Sequence, residues 1–462
     1  FFRYANGQWL KTAQIPADRS STGTFLKVFE QAEKNTAELI RNAGAGHPAA
    51  GSNARKIADY YAAWMDEAAI EQHGLAPLKP ELARIDAIAS RADLARVLGS
   101  RLRADVDPVN ATHYHTENLF GLFVTQGLED PSRNIAYLLQ GGLVMPSRDY
   151  YLADDAHMAA IRAKYRTYIG ALLKQAGIAD AEAKATTILD LETKIARAQA
   201  SLLDSEDVHK ANNLWRTTDF AQKAPGLDWT AYFRAAGLDG QPQIDVWQPT
   251  AIGGLSALTA SEPLQAWKDL LTFHTLDQNT ALLPKAFADL GFDFHGRTLQ
   301  GTPEQRPRWK RAVGATSADL GDAVGQLYVK HYFPASSRAE VEQLVKNLLA
   351  AFDERIDTLS WMTPATRAKA KAKLATVRVG VGYPDRWRDY AALEIRADDA
   401  LGNRLRAEKF EYEHQRAKLG QPVDRAEWWM TPQTVNAVNL PLQNALNFPA
   451  AILQPPFFDP HA

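Results

Sequence analysis

Between Asp154 and Gly177 apolar side chains return every three or four residues, at Ile161, Tyr165, Tyr168, Ile169 and Leu172. That period lines them up on one face of an α-helix, and Gly177 is a natural stop. The same pattern recurs through most of the chain and constrains it to a largely helical fold. A second helix is expected from about Asp180 to Leu203, with Ile188, Leu191 and Ile195 on its inner face. A third follows Ser337, where Ser337 and Glu340 have capping-box spacing and Val341, Leu344, Val345, Leu348 and Phe352 form a buried stripe. A fourth begins at Thr363-Pro364, a cap followed by proline at the first helical position. Segments 24–42, 54–72 and 80–104 read as further amphipathic helices.

Extended segments are fewer. Residues 119–125 (LFGLFVT) and 134–140 (NIAYLLQ) are expected strands. Near residue 430 the character changes: Val435-Asn436-Ala437-Val438, a turn at Asn439-Leu440-Pro441 and Leu446-Asn447-Phe448 read as a hairpin or a pair of extended segments. At roughly 150 residues per domain, 462 residues suggest two or three domains or one large interleaved pair. A formal net charge of −2 supplies no global field toward nucleic acid, so a nucleic-acid partner is not expected. The chain has no cysteine, which removes disulfides, thiolate zinc sites and cysteine nucleophiles together. No apolar run is long enough to span a membrane. Opening on Phe1 and Phe2 reads as a processed or trimmed start, and PPFFDPHA at 455–462 as a cut end.

The residues alone carry no recognisable catalytic constellation. A zinc protease helix needs H-E-x-x-H, which puts two imidazoles on one helical face, and the motif is absent. His113, His115 and Glu117 alternate and would share a strand face, but a polar strand or loop explains the spacing better than a metal site. Val379-Gly380-Val381-Gly382-Tyr383-Pro384 lacks a phosphate-loop lysine and reads as a turn. Arg367, Lys369, Lys371 and Lys373, two apart, spread around a helix as a solvated surface. Asp154-Asp155 is a helix cap, not a glycosidase pair, and no G-x-S-x-G elbow is present.

Several segments resemble the neprilysin family of zinc metalloendopeptidases, in family order along essentially the whole chain. They are FFRYANGQWLKTAQIP at 1–16, RNIAYLLQGGLVMPSRDYYL at 133–152, GTPEQRPRWKRAV at 301–313, LYVKHYFP at 327–334, GYPDRWRDY at 382–390, WWMTPQTVNA at 428–437 and FPAAILQPPFF at 448–458. The resemblance implies a mainly α fold with minor β, two lobes around a large cavity. Residues 1–24 and 396–462 would belong to a catalytic lobe left incomplete, and 25–395 to a helical lid. It implies an endopeptidase using one zinc ion on oligopeptides. The zinc ligands and the catalytic glutamate would lie beyond the end of this chain, which should then be inactive alone. An exported, periplasmic or extracellular monomer of bacterial type is expected, with membrane anchoring through a segment before Phe1 left open.

The resemblance also implies a substrate site. Asn436 and Ala437 match the family's edge-strand pair, which would hold the substrate backbone by β-augmentation. Without the resemblance Asn436 reads as a turn or strand-end asparagine. Phe25, Ile452 and Phe457 match the wall of an apolar primed-side pocket, favouring cleavage before bulky apolar residues; plain core packing is their alternative. Two arginine positions that hold a peptide's C-terminal carboxylate in neprilysin are Ser21 and Phe29 here, with Arg19 close by, which favours endopeptidase action. The aromatic pair after Asn-Ala is replaced by Val438-Asn439. If the catalytic segment lies beyond Ala462, the apolar stretch Phe448–Phe458 should be left exposed. A second reading is a non-catalytic peptide-binding or scaffold protein that ends near Ala462.

Overall fold

The computed structural model describes residues 1–460; the chain end near Ala462 on which the second reading turns lies outside the described residues. The fold is mainly helical with two small sheets. Its contacts divide the chain into two interleaved units, one of Asp66–Gln305 with Asp399–Val423, the other of Phe1–Met65, Arg306–Asp398 and the residues from Asp424 onward. Boundaries drawn at 25 and 395 do not coincide with this division. Phe25–Met65 and Arg306–Asp398 pack with the two chain ends, because their apolar residues share one core with Ala450 and Ala451.

In the Asp66–Gln305 unit, the helix expected after Asp154 spans Ala156–Gln175. Asp155 caps it by accepting from Met158 N at 2.9 Å, and Gly177 turns the chain with φ +74°. The next helix, Ala181–Ala198, buries Ile188, Leu191 and Ile195 and ends earlier than expected. Ser201 then caps a separate turn, Leu202–Glu206, by accepting from Asp204 N. Two expected helices are each broken by a side-chain cap. Segment 54–72 divides into Asn53–Met65 and Glu67–His73 at Asp66, and segment 80–104 into Lys79–Asp86 and Arg91–Ser100 at Ser90. In both, a short polar side chain offers the backbone N–H a better partner than a continuing helix would.

The sheet of this unit runs in the order β1 (Phe120–Gln126), β2 (Asn134–Gln140), β4 (Gln243–Val246), β3 (Leu214–Arg216). β1 and β2 pair antiparallel from Phe120↔Gln140 to Gln126↔Asn134. Both strands are buried on nearly every residue, which is why they read as continuous apolar runs without alternation. Tyr137 and Trp247 meet edge-on at 5.6 Å between ring centres, and Trp247 Nε1 donates to Ser205 O at 2.8 Å.

Beside this sheet lies a buried polar network drawn from distant parts of the unit. His274 places Nε2 2.8 Å from Glu192 Oε1 and Nδ1 3.0 Å from the Glu117 carbonyl. The carbonyl can only accept, so Nδ1 carries a proton and donates to it. Tyr151 OH donates to Glu192 Oε2 at 3.2 Å and accepts from Met145 N at 3.0 Å. Asp277 accepts from Tyr168 OH and lies 2.9 Å from His295 Nε2. Arg101 donates to Glu81 at 3.1 Å and to Thr275 at 2.8 Å.

In the other unit, helices Thr24–Asn42, Gly321–Tyr332 and Ala335–Thr358 enclose a core of Ala32, Leu39, Tyr328, Phe333, Val341, Val345, Val381, Ala450 and Ala451. Helix Ala335–Thr358 departs from expectation twice. Pro334 sits at its N-cap and Ser337 lies inside the first turn, so no capping box forms. Val341 and Val345 are buried, but Leu344, Leu348 and Phe352 are 50%, 51% and 59% exposed. Periodicity marks these residues as one apolar stripe; the core of this unit covers only one side of it. Thr363 caps helix Pro364–Ala375 as expected, accepting from Thr366 N at 3.2 Å. Lys371 on that helix pairs with Asp353 and Asp357.

Candidate functional site

The sheet of the second unit orders β5 (Arg378–Gly382), β7 (Ala445–Pro449) and β6 (Val438–Leu440), with β7 parallel to β5 and antiparallel to β6. The expected turn at Val379–Pro384 is thus a strand over its first residues. Its glycines make room for rings. A Cβ on Gly380 would meet the Trp428 ring at 2.6 Å, and one on Gly382, whose φ is +78°, would meet Phe333 at 2.3 Å. Close aromatic packing, not a phosphate cradle, explains the G-x-G spacing.

β6 is an edge strand. The turn after it falls at Pro441–Asn444, two residues later than expected, with Asn444 in the left-handed region at φ +49°. Asn444 Nδ2 ties the turn to Lys373 O at 3.1 Å and Thr376 Oγ1 at 3.0 Å. Asn436 and Ala437 immediately precede β6 and are not part of it. Both are exposed, and Asn436 Oδ1 accepts from Ala437 N at 2.9 Å. That bond commits the carboxamide oxygen to the backbone, leaving the NH2 without a partner among the described residues. The segment is anchored by Val435, which packs on the core containing Ala450 and Ala451, and by Ala451 N donating to Pro432 O at 2.9 Å.

The three pocket candidates all lie on or against helix Thr24–Asn42. Phe25 and Phe457 pack with ring centres 4.9 Å apart at 42°. Ile452 is buried in the turn Ala450–Ile452, which packs on the same helix. Phe25 and Phe457 both keep a substantial exposed face. The stretch Phe448–Phe458 is therefore not laid bare as a whole. Ala450, Ala451 and Ile452 are buried, Phe448, Leu453 and Phe458 half-buried, and only 455–457 exposed. Other bare apolar surfaces include the Leu344–Phe352 stripe and helix Phe2–Thr12, which buries none of its residues.

Arg19 is held within the same unit. It pairs with Glu33 at 3.5 Å and lies 5.3 Å over the Phe29 ring, while Arg306 binds the other oxygen of Glu33. No periodicity or motif joins residues 19, 33 and 306. The same holds for Glu192, His274, Asp277 and His295 in the other unit.

The described residues do not fit a zinc ion. Among them no group of three His, Asp or Glu side chains converges in a way that could hold a metal. His113 is exposed and exchanges backbone hydrogen bonds with Asp107 at 2.9 and 2.8 Å. His115 is half-buried, and burial draws its imidazole below the ordinary histidine range. Glu117 lies in the field of Asp277, Glu192 and Arg101. No helix among the described residues is long and apolar enough to cross a membrane.

Residues 1–384 match the sequence model of peptidase family M13. The chain belongs to that family. Endothelin-converting enzyme-like 1 from Mus musculus is 28% identical over 100% of this chain and 60% of its own length. Human endothelin-converting enzyme 1 is 28% identical over 99% of this chain and 60% of its own length. The crystal structure of the Mycobacterium tuberculosis zinc metalloprotease Zmp1 in complex with an inhibitor superposes with a TM-score of 0.91 at 37% identity, covering all of this chain and 69% of that one. The M13 chain thus has the neprilysin-type, mainly α fold and spans about three-fifths of the length of these curated relatives.

Proposed function

We propose that this M13 chain carries the peptide-recognition part of a zinc endopeptidase acting on oligopeptides, with cleavage before bulky apolar residues. The zinc ligands and the catalytic acid–base groups come from sequence outside the described residues, so the chain is inactive alone. One observation carries the reading: Phe25 and Phe457, 432 positions apart in sequence, form one exposed aromatic contact on a helix that also packs on Ile452. An exposed Asn436-Ala437 leads into edge strand β6 in the same unit, which suits a peptide bound by its backbone with one apolar side chain in a pocket. The unit containing the chain ends is then the start of the catalytic lobe and the Asp66–Gln305 unit the lid. The bare Leu344–Phe352 stripe and helix Phe2–Thr12 suit a surface that further catalytic-lobe sequence covers. An exported monomer of bacterial type follows from the same reading.

The test is made in a protein that includes the H-E-x-x-H segment. Phe25→Ala and Phe457→Ala are each expected to lower the preference for bulky apolar residues after the scissile bond about tenfold in kcat/KM. Unchanged cleavage sites in a peptide library would remove the pocket assignment. The absence of a metal-capable group among the described residues also favours a second reading, a non-catalytic peptide-binding or scaffold protein. The downstream coding sequence separates the two: H-E-x-x-H within a few tens of residues supports the first, an immediate stop codon the second.

A further inference from the structure

His295 lies on Phe292–Leu299, a run of π-helix eight residues long. Such i→i+5 turns are rare and hold poorly by their own hydrogen bonds, so tertiary contacts must fix this one. Two do. Phe294 is stacked between Tyr165 and Tyr168, at 5.0 and 4.9 Å, and His295 Nε2 meets Asp277 Oδ1 at 2.9 Å. Asp277 is itself buried at the end of helix Leu264–Asp277 and also accepts from Tyr168 OH. We propose that the His295–Asp277 contact is a proton-operated latch, which holds segment Phe292–Leu299 on the core of its unit and releases it as the solution turns alkaline.

The surrounding charges are few and mostly committed elsewhere. On the segment itself Asp293 pairs with Arg297, and on the preceding helix Lys285 pairs with Asp289. Helix Ala156–Gln175 presents Tyr165 and Tyr168, the latter's ring edge-on to His295 at 5.7 Å. Glu117 acts on the latch through Asp277. Burial works against a charged His295, yet the Asp277 carboxylate outweighs it and the imidazole sits above its ordinary value. A histidine raised in this way contributes its full stability below about pH 6.5, its unfolded value, and loses it as pH rises through the folded value. Glu117 acts in the same direction. Burial first, then the Asp277 and Glu192 carboxylates, push its carboxyl well above the usual range, so its ionisation on the alkaline side adds a charge where two already lie. Both groups make the network tighter in acid and looser in base.

Amide hydrogen exchange of the full chain from pH 5.5 to 8.5, corrected for intrinsic rates, reads this directly. Protection of peptides spanning 292–299 is expected to fall about tenfold across that range, while β1 and β2 keep theirs. His295→Gln should reduce the pH dependence to the part that Glu117 carries. Asp277→Asn, which keeps an oxygen for Tyr168 but removes the charge, should move the midpoint to lower pH. Flat protection in the wild type, an unchanged pH profile in His295→Gln, or an unmoved midpoint in Asp277→Asn each overturns the latch. The two substitutions are independent, so failure of one to fold leaves the other decisive.

Discussion

Replacing Glu192 by alanine is expected to destabilise the Asp66–Gln305 unit by about 3–5 kcal/mol, the usual loss when one member of a buried polar pair is removed. Glu192 is fully buried, and its two oxygens serve His274 Nε2 and Tyr151 OH. Neither partner can turn to water, since His274 is 2% exposed and its Nδ1 is fixed by the Glu117 carbonyl. The variant therefore strips an imidazole nitrogen and the Tyr151 O–H donor of their Glu192 partner and leaves a cavity. Glu192→Gln keeps the shape and one acceptor, and should lose only about 1–2 kcal/mol. Urea unfolding followed by hydrogen exchange at strands β1 and β2 isolates this unit's transition. A loss below about 1 kcal/mol for Glu192→Ala would mean that the network adds nothing beyond its apolar surroundings.

Glu33→Ala should cost the other unit a similar amount, about 3–5 kcal/mol. Glu33 is buried on helix Thr24–Asn42 and is shared between Arg19 and Arg306, which come from segments hundreds of positions apart. Without the carboxylate, two guanidinium groups face each other with no anion between them. Arg19 also covers the Phe29 ring, so its displacement loosens the chain leading into the helix that carries Phe25. Removing one arginine is expected to do less harm than removing Glu33, because the remaining pair stays neutral. Double-mutant cycles over Glu33, Arg19 and Arg306 measure this; additive losses would mean the three do not form one unit.

The parts of this fold that were legible in the sequence are those decided locally. Helix Ala156–Gln175 and its Asp155 cap, the Thr363 cap, and strands β1 and β2 follow from period, cap chemistry and apolar runs within some twenty residues. Where a non-local partner decides, the sequence misled or was silent. Leu344, Leu348 and Phe352 share a stripe with Val341 and Val345, but periodicity does not say how wide a strip the core covers. Gly380 and Gly382 look like a turn because the rings they accommodate, Trp428 and Phe333, lie elsewhere in the chain. The Glu192–His274 and Asp277–His295 contacts carry no pattern at all, since each residue alone is an ordinary polar position on its own helical segment. The candidate site was legible only through family resemblance; Asn436, on its residues alone, is a turn asparagine.

The proposed division of labour leaves peptide recognition on this M13 chain and the zinc ligands on sequence outside its described residues. Native mass spectrometry of the 462-residue chain in micromolar zinc, with a fluorogenic oligopeptide assay on the same sample, tests it most directly. No stoichiometric zinc and no hydrolysis that a chelator abolishes are expected. A single tightly held zinc ion per chain, together with chelator-sensitive cleavage, would contradict it.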